Sequence, residues 1–375
     1  MSSKQEQKEL HANRQSWGNA LYTGAKSYDV VGHRWKFFTV SLTLCALCIL
    51  AIIFMGLNLG IDFKGGTEFT ISGTHQQVQQ TAIDVIHEDY PTEEPSVSSV
   101  GNDSVRVQTG VINDQEDVNK LRDKLASAYG VNSEKVSNTA IGPTWGASVG
   151  VKALQGLVVF LIACALFMTV YFRSWRMALS GIIALIHDLV ITIGIYAVVG
   201  WEITPASMIG FLTILGYSMY DTVVVFDKVR ENTKDVLNRS NAKYSEQANL
   251  ALNQTLVRSI NTSVVALLPI GSILFFGAFF MGAGTLRDIA LALFVGMAAG
   301  AYSSIFLATP MEVAFRSTDK NVQAHNVKVD AAREELRAEL EATGQDASLA
   351  GVRSAQLLPG KRLPNVKQPT RKRRK

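Results

Sequence analysis

Asp221, and Asp188 beside His187, stand inside long apolar runs of this 375-residue chain. A carboxylate within a bilayer costs on the order of 3 kcal/mol on insertion scales, so it must face other helices or water rather than lipid. The chemistry open to such a group is the binding and release of a proton or ion. Arg258, near the start of the next apolar run after Asp221, falls at a similar depth. At about 1.5 Å per residue, Asp221 lies roughly 8 to 10 Å from one membrane edge. An opposite charge at that depth offsets the cost of the carboxylate, and the pair reads either as a static ion pair or as a switch. Asp188 reads either as a relay carboxylate midway across or as an anchor hydrogen-bonded to a nearby Thr or Ser. Consecutive helical residues point about 100° apart, so contact with His187 is not implied, and His187 reads as a packed, hydrogen-bonded residue. Arg287 and Asp288 read as interfacial, and Asn261 and Thr262 as hydrogen-bonding groups.

Other chemistries find no residues to carry them. Cys45, Cys48 and Cys164 all lie in apolar runs, where Cys-x-x-Cys without further ligands reads as packing. No nucleophile–base pair, phosphate loop or metal-ligand spacing occurs, so no enzymatic hydrolysis, metal or cofactor is expected.

The elements that position these groups are six apolar runs, expected at 37–57, 150–172, 177–200, 205–226, 256–280 and 286–313. Each is about the ~20 residues a spanning helix needs. The average is misleading, since hydrophobic residues are only 47% and mean hydropathy is +0.15. The segment 1–36 is polar, and apolar character begins only at Phe37, so the first run is expected to stay as a helix rather than be cleaved. Gly210 and Gly216, Gly296-x-x-x-Gly300 and Gly56-x-x-x-Gly60 suggest close-packing faces.

Between the first two runs, residues 58–148 form a polar insert. It reads as strand (68–71), helix (75–90), strands (96–100 and 104–108) about a Gly101-Asn102-Asp103 turn, helix (115–129) and strand (135–141). That order fits a small ferredoxin-like α+β domain. Asp62, Gly65 and Gly66 read as the turn joining the first helix to it.

Lys and Arg set the expected orientation. Residues 1–36 carry six, the 228–258 stretch another six, and Arg173 and Arg176 mark the turn between the second and third spans. The segment 60–140 has six basic residues against thirteen acidic. Both termini and the 228–255 loop are therefore expected in the cytoplasm, with the small domain outside. The segment 314–375 reads as polar and largely disordered apart from an amphipathic helix at 329–340. Its basic end, Arg371 to Lys375, reads as a solvated tail or as a contact for anionic lipid. Nucleic acid is not expected, since neither a binding fold nor interleaved aromatics accompany the charge.

Four motifs occur in one order: LNLGIDFKGGTEF at 57–69, GYSMYDTVVVFDKVREN at 216–232, RSINTS at 258–263 and TLRDIALALFVGMAAGAYSSIFLA at 285–308. Together they resemble the SecD/SecF family of bacterial protein-export membrane proteins, within the resistance–nodulation–division superfamily. The resemblance is specific and spans about 57–308. It implies a six-helix half-unit that works with a SecD partner beside the SecYEG channel, with protons as the coupling ion and exported unfolded preproteins as the cargo. It also implies that Asp221 and Arg258 take part in proton-driven work, which weights that pair toward the switch. Two other readings stand beside it: a half-transporter exporting lipid or small molecules, and a non-transporting scaffold.

Overall fold

The structure, a computed structural model, describes residues 17–22, 26–74, 78–100, 103–238, 241–276 and 284–342. The expected turn at Gly101-Asn102 and the basic end at 371–375 lie outside the described residues. Two compact units are formed: Arg34–Val224 with Leu256–Ala308, and Met1–His33 with Val225–Thr255 and Thr309–Lys375.

Helix α1 (Trp17–Tyr22) precedes α2 (Arg34–Met55), the first of six helices among the described residues long and apolar enough to cross a membrane. A single-turn helix α3 (Ile61–Lys64) leads into the small domain through Gly65 and Gly66. Their φ angles are +80° and +151°, which L side chains rarely adopt. Space is closed there too, since a Cβ on Gly65 would lie 2.9 Å from Pro143 Cα and one on Gly66 would lie 2.6 Å from the Thr109 carbonyl.

The domain runs β1 (Gly66–Ser72), α4 (Gln79–Asp89), β2 (Ser96–Val100), β3 (Ser104–Thr109), α5 (Gln115–Ala128) and β4 (Val136–Ile141). Its sheet order, β2-β3-β1-β4 and antiparallel throughout, is the ferredoxin-like arrangement expected from the sequence. Strand alternation does the sorting: Phe69, Ile71, Val105 and Val107 are fully buried, while Glu68, Thr70, Arg106 and Gln108 take the opposite face. Ala82, Ile86, Val118, Leu121 and Leu125 of the helices complete the core. Each large apolar side chain buried there contributes about 1.5–3 kcal/mol. Asp114 caps α5, its carboxylate accepting from the Glu116 amide at 2.9 Å.

Helix α6 (Pro143–Phe172) starts seven residues before the expected span, because Gly142-Pro143 supplies an N-cap and a first-turn proline directly after β4. It pairs with α7 (Trp175–Val199), which also packs against α2. Next come α8 (Pro205–Thr233), α9 (Tyr244–Phe276) and α10 (Gly284–Ser303). A five-residue π turn, Ser304–Ala308, carries α10 into α11 (Thr309–Arg316), and α12 (Lys320–Ala342) follows. The polar stretch expected as a loop at 228–255 is mostly helical. Its polar side chains are used within the second unit, so they read as loop in the sequence. Asn249 Oδ1 accepts from the amides of Val30 and Val31, and Asn253 Oδ1 from that of Tyr28. In the same unit Tyr244 donates to Glu312 at 2.8 Å, and Arg333 grips Glu246 through both carboxylate oxygens. Helix α12 is accordingly longer than the 329–340 expected.

Glycine packing is selective. Gly210 admits Ala292, whose Cβ would stand 2.6 Å from an added Cβ, and Gly296 admits Ile214. Gly216 makes only ordinary contact, and Gly56 ends α2 in open space, so neither serves the close-packing role expected of it. Cys48 fills the gap beside Gly194, as a packing residue.

Candidate functional site

Two buried carboxylates define the site. Asp188, on α7, is fully inaccessible, and Asp221, on α8, is 4% exposed. Ser218 of α8 donates to Asp188 Oδ2 at 2.6 Å, and Ser303 of α10 to the same oxygen at 2.8 Å. His187 Nδ1 lies 3.1 Å from Asp188 Oδ1, so these neighbours do meet despite the angle between them. Ser259 of α9 donates to Asp221 Oδ1 at 2.9 Å, and Ser304 to Oδ2 at 2.6 Å.

Helix geometry explains why these hydroxyls converge. Ser218 and Asp221 are three residues apart on α8 and share a face. Ser303 and Ser304 are adjacent, so they diverge, one to each carboxylate. The helix widens into a π turn at that point, a feature frequent at functional sites. Gly300 keeps the approach open: a Cβ there would stand 3.0 Å from Ser218 Cβ and 3.5 Å from Asp188 Oδ2. One Ser-Ser step thus bridges carboxylates on two helices.

The expected Asp221–Arg258 pair is not formed. Arg258 is exposed, and among the described residues it makes no ion pair. Its neighbour Ser259 is turned onto Asp221, and the roughly 100° step between them turns Arg258 outward. Thr262 bonds back to the Arg258 carbonyl at 2.8 Å, and the Thr262 carbonyl accepts from Tyr217 at 3.0 Å. Asp288 lies at the other end of the bundle, 3.3 Å from Thr204 Oγ1 and 3.6 Å from Arg287. It is buried. Asp62, Gly65 and Gly66 form the turn that enters the small domain, and burial, with Glu68 nearby, holds the Asp62 carboxyl above its ordinary range.

Hydroxyls give this site its character. Each can donate to a carboxylate or accept from a carboxylic acid, so both protonation states can be satisfied by rotating an O–H. Arginine could not do this, because it only donates and never releases its proton. The sequence carries the serines openly, in AYSSIF and RSINTS, but their role is visible only when four helices are assembled. No group of three or more metal-ligating side chains occurs among the described residues.

Residues 120–318 match the family described as protein export membrane protein SecD/SecF, C-terminal, and residues 50–76 match the SecD/SecF GG motif. The protein translocase subunit SecF of Streptomyces coelicolor is 42% identical over 317 residues, which is 84% of each chain. The protein translocase subunit SecDF of Thermus thermophilus is 31% identical over 287 residues, and this chain spans 38% of its length. The crystal structure of SecDF, a translocon-associated membrane protein from the same genus, superposes with a TM-score of 0.68 at 31% identity. That match takes in 78% of this chain and 39% of the other.

Proposed function

Because the chain belongs to the SecD/SecF family of protein-export membrane proteins, as a SecF-type accessory subunit of the Sec translocase, we propose that it uses proton movement through Asp188 and Asp221 to promote late steps of export. The observation that carries this reading is the pair of buried carboxylates joined by Ser303-Ser304, each satisfied by groups that tolerate either charge state. Proton binding at one carboxylate reorients a hydroxyl on the shared turn and so biases the other. The cofactor is the proton alone.

SecD is the expected partner, since a relative of about twice the length is named SecDF and this chain corresponds to part of it. The SecYEG channel and unfolded preproteins complete the proposed assembly, in the cytoplasmic membrane with both termini inside and the α+β domain outside. The basic end contributes contacts to anionic lipid. Arg258 enters this reading differently from Asp221. Facing outward from α9, it is placed to meet a group outside the chain.

Precursor export into membrane vesicles, with and without a proton gradient, tests the proposal. Asp221→Asn keeps the shape and both serine contacts while fixing a neutral group. Export without the gradient should persist, and the gradient-stimulated part should vanish. Full gradient stimulation in Asp221→Asn would rule the mechanism out, and loss of both parts at normal chain levels would favour a scaffold.

A further inference from the structure

We propose that Glu202 and Arg106 are positioning residues that clamp the α+β domain to the turn between α7 and α8, so that movement of the two carboxylate-bearing helices is passed to the domain. The turn at 200–204 is a short link whose two flanking helices carry Asp188 and Asp221. It is tied to the chain leaving α2 by backbone bonds, Gly60 N to Ile203 O at 2.9 Å and Ile203 N to Asn58 O at 2.7 Å. Glu202 projects from this turn against Gly60, where any Cβ would stand 2.8 Å from Glu202 Oε1.

The domain supplies the other half. Glu68 pairs with Gln108 across β1 and β3, and Arg106 lies two residues along on the same face. That is the sheet face opposite the core. The Gln108 amide donates to Glu68 Oε2 at 3.0 Å and to Glu202 Oε1 at 2.8 Å, so one side chain bridges domain and turn. Arg106 stands between the same two carboxylates, with Nε 3.6 Å from Glu68 Oε1 and Nη1 3.9 Å from Glu202 Oε2.

Those distances are long for a guanidinium–carboxylate pair, and Arg106 Nε is buried with no hydrogen-bond acceptor. A half-buried arginine closed onto neither partner is poorly compensated, and a small rotation would tighten it on one carboxylate while loosening it from the other. Gln108 holds the contact meanwhile. Such a junction transmits displacement and still leaves the domain two positions to occupy.

The experiment uses the full chain with its partner subunit in membrane vesicles, free of native cysteines. Precursor export and thiol labelling of Thr70→Cys, on the clamped sheet face, are measured together. Glu202→Arg and Arg106→Glu should each lower export about tenfold, the range of interaction energies for contacting residues, and speed the labelling. The double exchange should recover most of both. Arg106→Lys should recover only part, since it lacks the fork that reaches two carboxylates. If the charge reversals lower the chain level, Gln108→Ala, which removes the bridging amide, provides a gentler break and should still speed labelling. The inference builds on the proposed role in export, but labelling reads the clamp without reference to export, so the two can fail separately. A double exchange no better than its worse parent, or unchanged labelling in Gln108→Ala, would overturn it.

Discussion

The bundle buries its carboxylates and the domain junction half-buries its own, and the two do so with different partners. Asp188 and Asp221 are met mainly by serine hydroxyls, with His187 the one ionisable side chain hydrogen-bonded to them among the described residues. Glu68 and Glu202 are met by an arginine and an amide. A hydroxyl suits a carboxylate that changes charge, because it can reverse its role without moving its oxygen. A guanidinium suits a carboxylate that keeps its charge and its place. The bundle is therefore built for a change of protonation, and the junction for holding position.

The sharpest way to separate the two regions is to remove one polar function from each. Asp188→Asn should remove gradient-stimulated export, about a hundredfold or more if the group transfers protons, and leave gradient-independent export in place. Gln108→Ala, which removes the amide bridging Glu68 and Glu202, should instead lower both components in proportion. If the two variants gave the same pattern in the vesicle assay, the distinction drawn here would fail.

The serines give a second contrast, with smaller effects. Removing one hydrogen bond to a charged group costs about 1.5–3 kcal/mol, so Ser303→Ala and Ser304→Ala should each lower gradient-stimulated export by roughly tenfold or more. Ser304→Ala and Ser259→Ala serve the same carboxylate and should be non-additive. Ser303→Ala and Ser259→Ala serve different ones and should combine more nearly additively. The reverse outcome would mean that the hydroxyls act only in packing.

Much of this was legible in the sequence. Alternation in β1 and β3 and the order of elements in the insert were enough for the ferredoxin-like fold, because strand and helix periods are local properties. The two carboxylates were legible as well, since a charge inside an apolar run has few roles. Their partners were not. Matching depth made Arg258 the expected partner of Asp221, but depth leaves out rotation about the helix axis, and one residue of rotation gave the contact to Ser259. Glu202 was also missed, since the sequence gives no reason to single it out between two apolar runs. Its role arises from sheet register and from a backbone bridge to residues 58–60, which no local pattern announces. A third prediction follows from the rotation. Asp221→Asn should not rescue Arg258→Met, and the two effects should add within about 0.5 kcal/mol. Rescue in the export assay would show that the pair forms after all.

The smallest expected effect is a pH dependence confined to the junction. Burial pushes the Glu202 carboxyl above its ordinary value of 4.5, and the Gln108 hydrogen bond and Arg106 only partly oppose this. Asp62 is raised in the same way, and Asp288, Glu68 and Arg287 are the other charged groups nearby. A raised carboxyl pKa means that the docked junction binds a proton more readily than an undocked one. Its contribution is therefore fully present below the ordinary value and is lost as pH rises through the raised one. Labelling of Thr70→Cys should then be slowest in acid and quicken through that window, measured against an exposed control such as Glu116→Cys to remove the pH dependence of the thiol itself. Glu202→Gln should flatten the profile, leaving the residue due to Asp62. Labelling that slowed with rising pH would mean that the ion pair with Arg106, rather than burial, governs Glu202, and that the junction tightens by gaining charge instead of losing it.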